Sequence, residues 1–324
     1  MRFLIIHFLF FVSFLSVCNA ANFHAVCYQD TLPAKHDSSE ISKTNTNLLS
    51  QKMLSKTDER QQANFDTVFK PFKSFIKHTS IESTTNLTIK EQKISYKTVA
   101  DFITKYTLNG VASGKRIFNV SIVKLNTKVE TMGLQLQYNS DSVQADTTSS
   151  FAKPLFDIVG KNIRVDIDTA GKILSVDTSE VNANINTVLS SLYVNGESFK
   201  IGENFGLLYN KNTDNFQLGY VWTNSSENEN GKTISKYTVQ SLLHNEIILL
   251  VQGEIIQNGT FWNNGHVFNT NFTGSHSGKV IIAKDSKLIK QKITVYNLHG
   301  TIHYSDGDLP AAAVSRIIEN LNPS

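Results

Sequence analysis

NIRVDIDTAGKILSV, residues 162–176, is the stretch that decides the fold class. Ile163, Val165 and Ile167 alternate with Asn162, Arg164, Asp166 and Asp168, the period of two that sends side chains to opposite faces of a strand. Thr169-Ala170-Gly171 interrupts the alternation, and Gly171 can take a positive φ at little cost. Ile173, Leu174 and Val176 then return. The spacing predicts a β-hairpin with one face in a core and a charged face in water.

The same period recurs on both sides of this hairpin. Upstream, Ile94, Tyr96, Thr98 and Ala100 alternate with Ser95, Lys97 and Val99. The runs Ile117–Leu125 and Met132–Tyr138 repeat the pattern, the former with both faces partly apolar. Downstream, Phe216–Trp222, Ile234–Leu242, Ile247–Ile256, Lys279–Ala283 and Leu288–Tyr296 have strand composition. Asn230-Gly231, Asn258-Gly259, Asn264-Gly265 and Asp306-Gly307 are turn signals between them, and Gly274–Gly278 reads as a glycine-rich turn. Helical spacing is found in two places. Val181, Ile185, Val188, Leu189 and Leu192 form one apolar stripe over Val181–Tyr193, with Thr178 or Ser179 as cap. Ala311–Leu321, after Pro310, reads as a short amphipathic helix. Phe65–Ile76 reads as a short helix or an extended lead-in, because Pro71 interrupts a helix. The expected fold is therefore α+β and β-dominated: a long twisted antiparallel sheet, free to curl into a half-barrel, with one or two packed helices.

Residues 1–20 carry an address. Arg2 supplies a positive charge, Phe3–Val17 is an almost unbroken apolar run, and Cys18-Asn19-Ala20 offers small residues at a cleavage site. This is the pattern of a secretory signal peptide. The run is short for a membrane span, and no comparable run follows, so the mature chain is expected to have no transmembrane segment. The expected localisation is periplasmic or envelope-associated. A lipid anchor on Cys18 is the disfavoured alternative, since Val17 stands where small residues are preferred. With Cys18 removed, Cys27 alone remains and no internal disulfide can form. Residues 21–60 are Ser-, Lys-, Thr-, Asn- and Gln-rich and read as a polar, disordered tether, leaving residues 61–324 as a single β-rich domain. The net charge of +3 is made of scattered lysines, not of a concentrated basic patch, which argues against nucleic acid as a partner.

Several segments together carry a resemblance. Gln137-Tyr138-Asn139-Ser140-Asp141-Ser142 ends a long strand, and Leu155–Gly160 holds an Ile-Val-Gly segment. Gly171–Val176 centres the hairpin, and Asn297–Pro310 closes a strand pair. In this order, over roughly residues 85–320, the chain resembles an exported β-rich family of unknown function common in Bacteroidota-type Gram-negative bacteria. The resemblance implies a periplasmic or envelope domain and carries no reaction with it. In layout the chain is also similar to lipoprotein-carrier half-barrels, an analogy of fold that does not transfer function.

The candidate sites each have a plain structural reading beside them. His299 and His303 share a strand face and, with Asp306, form a candidate metal set; the favoured reading is two surface histidines before an acidic turn. Asp166-Ile167-Asp168 lacks the third ligand of a calcium loop and reads as the exposed side of a strand. Gly274–Lys279 is one residue short of a phosphate-binding loop and has Val280 where a hydroxyl must reach magnesium. No nucleophile-elbow motif is present, and no cofactor is implied. The preferred function is a non-enzymatic envelope binding module. An apolar, lipid-like ligand or an envelope protein would sit in the concavity, lined by Ile163, Val165, Ile167, Phe216 and Trp222. A structural or protein-interaction domain is the alternative, and a hydrolase with an unrecognised site the second alternative.

Overall fold

The computed structural model describes residues 74–323 apart from 90, 113, 143–150, 182–198, 210, 212, 214–215, 229–230, 264–265 and 305–306. The expected signal peptide and tether, and all but the first residue of the helix expected over Val181–Tyr193, lie outside the described residues. In chain order the strands are β1 (Ser74–Ile89), β2 (Gln92–Ala112), β3 (Lys115–Thr131), β4 (Leu134–Asn139), β5 (Ile163–Ile167) and β6 (Ile173–Asp177). They continue as β7 (Val221–Asn228), β8 (Gly231–Leu242), β9 (Glu246–Asn263), β10 (His266–Ala283), β11 (Ile289–Tyr304) and β12 (Gly307–Pro323). One short helix, α1 (Ala152–Phe156), lies between β4 and β5.

All twelve strands belong to one antiparallel sheet that does not close, ordered β6-β5-β3-β2-β1-β12-β11-β10-β9-β8-β7 with β4 also on β3. The sheet is a curled, half-barrel-like surface with almost no helix among the described residues. Two meanders meet in its middle, where the first strand pairs with the last: Leu87 stands opposite Ala311 and Phe75 opposite Pro323. The outer edge of β3 is shared between two strands. β5 pairs its Arg116–Val120 portion and β4 its Asn126–Thr131 portion, while the amides of Ser140 and Gly160 fill the gap by donating to the carbonyls of Leu125 and Ile122.

Period two sets which face is which. On β1, Phe75, Ile81 and Leu87 are buried with Lys77, Thr79, Ser83 and Thr85 between them, while His78, Ser80, Glu82 and Asn86 are exposed. On β2, Tyr96, Ala100, Phe102 and Tyr106 point inward and Lys97, Asp101 and Lys105 outward. On β9 and β10, Glu254, Asn258, Asn271, Ser275 and Ser277 continue the polar outer face. A membrane-spanning barrel needs the reverse, an apolar band outside. This sheet turns most of its apolar side chains inward and keeps a mainly polar outer face, with Leu250, Ile256 and Val314 as exposed apolar exceptions.

Local details explain where the alternation shifts. The double-sided pattern of Ile117–Leu125 has a physical cause. Phe118, Val120 and Ile122 face inward, then the register slips between Ile103 and Thr104 of β2, and Leu125 takes over the inward phase. Val123 is the residue pushed out, 44% exposed. Such a bulge adds one residue to one strand and flips everything beyond it.

The hairpin at 162–176 forms as its spacing predicts, β5 against β6, with Gly171 at φ 80°. Asp168 is a turn former: its Oδ1 accepts from the amides of Ala170 (2.9 Å) and Lys172 (2.8 Å). Asp166 pairs with Arg164 Nε at 3.2 Å on the outer side. Asp168→Ala is expected to cost about 1 kcal/mol of stability in urea denaturation, because two local hydrogen bonds on an exposed turn are lost together.

Three expectations are corrected. Ala311–Leu321 is strand, not helix. Its inward positions, Leu309, Ala311, Ser315, Ile317 and Leu321, follow period two and are paired on both sides, by β1 and β11. Tertiary pairing overrides the helix propensity of Ala311-Ala312-Ala313. Gly274–Gly278 and Asn258-Gly259 are not turns; they lie within β10 and β9. Finally, Phe216–Tyr220 is loop, and the strand begins only at Val221.

Candidate functional site

Residues 203–209, in the connection between β6 and β7, lie against the inner face of the sheet and form one wall of a cavity. Phe205, fully buried, anchors the crossing. Its ring packs on Phe118 (centroids 4.9 Å) and edge-on to Tyr106 (5.8 Å), while its amide donates to the Gly171 carbonyl of the β5–β6 turn. Further along, the Tyr209 amide donates to the Lys287 carbonyl, and the Ile289 amide donates to the Leu207 carbonyl. The segment is thereby tied to both halves of the sheet.

The cavity beneath it has a volume of about 310 Å³. Phe205, Leu208, Val280, Ile289 and Leu321 supply apolar wall, Tyr209 and Tyr237 aromatic wall, and Lys77, Lys292 and Glu319 a charged patch. These charges come from adjacent strands. Lys292 of β11 stands directly opposite Glu319 of β12, and Lys77 reaches the same carboxylate from β1. The two ammonium groups each lie 3.4 Å from a different oxygen of Glu319. The side chains of Lys77 and Glu319 are only 6% and 13% exposed, that of Lys292 39%. Burial pushes the Glu319 pKa up, but Lys292 and Lys77 outweigh it and hold the carboxyl below its ordinary value. The Tyr209 hydroxyl is buried without a hydrogen-bond partner among the described residues, and burial, followed by the neighbouring Tyr237, pushes its pKa up.

The five residues expected to line a ligand site are all buried, in two separate places. Ile163, Val165 and Ile167 are inward positions of β5, next to one sheet edge. Phe216 and Trp222 lie at the opposite edge, in a core cluster with Val239, Ile247, Leu249, Val280 and Ile282. None of the five lines the cavity. Trp222 comes near it: its ring stacks on Tyr237 at 5.2 Å and 7°, with Lys211 Nζ 4.6 Å from its centroid on the cation–π pattern.

His299 and His303 share an exposed face of β11 but are not brought together. Positions i and i+4 of a strand lie about 13 Å apart along its axis. His299 Nε2 bonds Thr273 Oγ1 at 3.3 Å, and His303 Nδ1 meets Asp308 Oδ1 at 2.7 Å. Asp306 lies outside the described residues.

One hydroxyl–imidazole pair was not foreseen. Ser235 Oγ and His276 Nε2 are 3.0 Å apart, within the reach of a nucleophile and its base. His276 Nδ1 has no partner among the described residues, so no carboxylate orients the ring, and neither side chain lines the cavity. Burial first, then the charge of Lys292, lowers the His276 pKa. The pair reads as a structural contact that fixes one ring nitrogen of His276 and leaves the other without a partner among the described residues.

What sequence reasoning missed was signalled by charge in the wrong phase. Lys77 alternates with Phe75, Thr79 and Ile81 on the inward side of β1, and Lys292 with Thr294 and Tyr296 on β11. An ionisable residue in the apolar phase of a strand marks either a buried pair or a site. Glu319 was hidden by the helix reading of Ala311–Leu321.

No protein-family model and no curated protein matches the chain. Among solved structures, a lipovitellin described for its lipid–protein interactions aligns at 11% identity and a TM-score of 0.43, over 79% of this chain and 26% of its own. This chain thus spans about a quarter of the lipovitellin's length. OccK7 (OpdD) of Pseudomonas aeruginosa aligns at 6% identity and a TM-score of 0.21, over 78% of this chain and 99% of its own. An outer-membrane channel of Pseudomonas putida F1 aligns at 6% identity and a TM-score of 0.19, over 78% of this chain and 96% of its own.

Proposed function

We propose that this protein is a non-enzymatic binding module of the cell envelope that holds an apolar, lipid-like ligand between its crossover segment and the inner face of its sheet. The observation that carries this reading is the cavity of about 310 Å³, with apolar and aromatic walls and a few convergent polar groups. That combination is the general character of small-molecule sites, whose volumes run from about 300 to 1,000 Å³. The polar outer face supports a module that works in water and carries its apolar surface inside. Export by residues 1–20, residence in the periplasm and membership of the exported β-rich family belong to the same proposal. Native mass spectrometry of residues 21–324, purified gently from the periplasm of an expressing bacterium, tests it. The expected result is a bound species of lipid-like mass that is lost on denaturation; a bare chain mass would favour the alternative.

That alternative is a protein-interaction domain of the envelope, and one observation favours it. β7 is an edge of the sheet, and near its start Leu218 is 72%, Tyr220 43%, Val221 44% and Leu243 48% exposed. Exposed apolar residues beside an open strand edge suit pairing with another protein.

A further inference from the structure

We infer that β7 is a self-association surface: two copies of this chain pair β7 with β7, antiparallel about a two-fold axis at Asn224, and continue one sheet through the dimer. The inference rests on the interaction reading given above as the alternative and names its partner, a second copy. The ligand reading is independent of it.

The first ground is the phase of the backbone. Among the described residues β7 has a neighbour, β8, on one side only. The Val239 amide donates to the Tyr220 carbonyl, and Asn228 stands opposite Gly231 at the hairpin end. Trp222, Asn224, Ser226 and Asn228 are in the same phase and turn their N–H and C=O groups toward β8. Val221, Thr223, Ser225 and Glu227 turn theirs to the open side, and all four residues are exposed.

The second ground is that this row complements itself. With the axis at Asn224, Val221 stands opposite the partner's Glu227 and Thr223 opposite the partner's Ser225. These pairs and their symmetry mates each exchange two hydrogen bonds. Glu227 is the single charge of β7 and never stands opposite its own copy, while Thr223 and Ser225 make a favourable hydroxyl pair. Leu218, Tyr220 and Val221, exposed at the start of the strand, run alongside the end of the partner strand and lose water there. The third ground is that β7 lacks the guards of a protected edge. It holds no lysine and no proline, and its register with β8 does not shift. At the far end of the sheet the chain closes its own edge: the Ile173 amide of β6 donates to the Glu203 carbonyl, and the Gly202 amide to the Ile173 carbonyl.

The test is sedimentation velocity of residues 21–324 from about 1 µM to about 200 µM, followed by cross-linking. A single strand pair is a small interface, so a reversible dimer in the micromolar range is expected. Thr223→Lys places a charge beside the axis in both copies and is expected to weaken the dimer about tenfold or more. Ser225→Pro removes an outward N–H, leaves the ladder with β8 intact and is expected to give a monomer whose urea midpoint matches that of the dilute parent. Asn224 faces its own copy in a non-hydrogen-bonded pair, with Cα atoms about 4.5 Å apart, within disulfide reach. In a Cys27→Ser background, Asn224→Cys is therefore expected to form a covalent dimer on mild oxidation, and Ser226→Cys, which stands opposite the partner's Trp222, is not. A monomer at every concentration would overturn the inference and leave pairing with a different protein as the interaction reading. A dimer that survives both Thr223→Lys and Ser225→Pro, with no preference for cross-linking at Asn224, would place the contact elsewhere and overturn it too.

Discussion

Glu319→Ala is expected to lower the free energy of unfolding by about 3–5 kcal/mol, read as a fall in the urea midpoint at constant slope. The carboxylate is the shared counter-charge of Lys77 and Lys292, each 3.4 Å away. Lys77 is almost fully enclosed, so its ammonium cannot turn to water when the carboxylate goes. Removing one member of a buried ion pair costs far more than the pair contributes, because the partner stays behind. The double variant Lys77→Met/Glu319→Leu is therefore expected to recover most of the loss. A single variant that loses less than about 1 kcal/mol would show that water reaches Lys77 freely.

The same groups make the protein sensitive to acid. The Glu319 carboxyl titrates below its ordinary 4.5 in the fold, so its contribution is complete above that value and is lost as pH falls through the folded one. The His276 imidazole is likewise held below its ordinary 6.5, so folding favours the neutral ring, and that contribution also disappears as pH falls. The two signs agree. Urea midpoints are expected to be flat above about pH 7 and to decline progressively from there toward pH 4; a maximum at acid pH would contradict both assignments.

Gly253→Ala is expected to cost about 3 kcal/mol or more, at the severe end of overpacking. A Cβ at this position of β9 would stand 1.9 Å from the Ile234 carbonyl oxygen and 2.5 Å from Cε1 of His276. The first obstacle is backbone of the neighbouring strand, which cannot swing aside as a side chain can. The second is a ring already fixed by Ser235 at 3.0 Å. Gly110→Ala supplies the control: no atom lies within 4 Å of its Cβ, and a change within about 1 kcal/mol is expected from thermal unfolding of both variants.

These effects also show which parts of the molecule could be read from its sequence. Strand identity was legible wherever alternation ran uninterrupted between turn residues, as at Ile163–Val176 and Ile94–Ala100. The antiparallel, β-dominated, half-barrel character followed from that alone. Long-range pairing was not legible. Ala311–Leu321 satisfies a helical stripe and a strand alternation about equally, and only β1 and β11 on either side decide between them. Gly274 and Gly278 resemble turn residues until the tight approach of β11 gives them a place inside a strand, with a Cβ 2.0 Å from the carbonyl of Asn297 or Ile293. The cavity failed to appear for the same reason. Of its four charged residues, Lys292 and Glu319 face each other across the β11–β12 hairpin, while Lys77 of β1 and Glu203 are distant from them in the chain and join them only in the fold.

The pairing of β1 with β12 has a consequence in time. Leu87 waits for Ala311, so at typical synthesis rates of about 5–20 residues per second the first strand goes some 10–45 s without its central neighbour. Until then the N-terminal meander presents β1 as a long bare edge, and the sheet exists as two unjoined halves. Insertion of β12 satisfies both halves at once and brings Glu319 to Lys77 and Lys292 in the same event. Formation of the cavity and completion of the sheet are thus one kinetic step. Contacts this distant in sequence make that step slow, which leaves a chain of this topology exposed to proteases and chaperones while it waits.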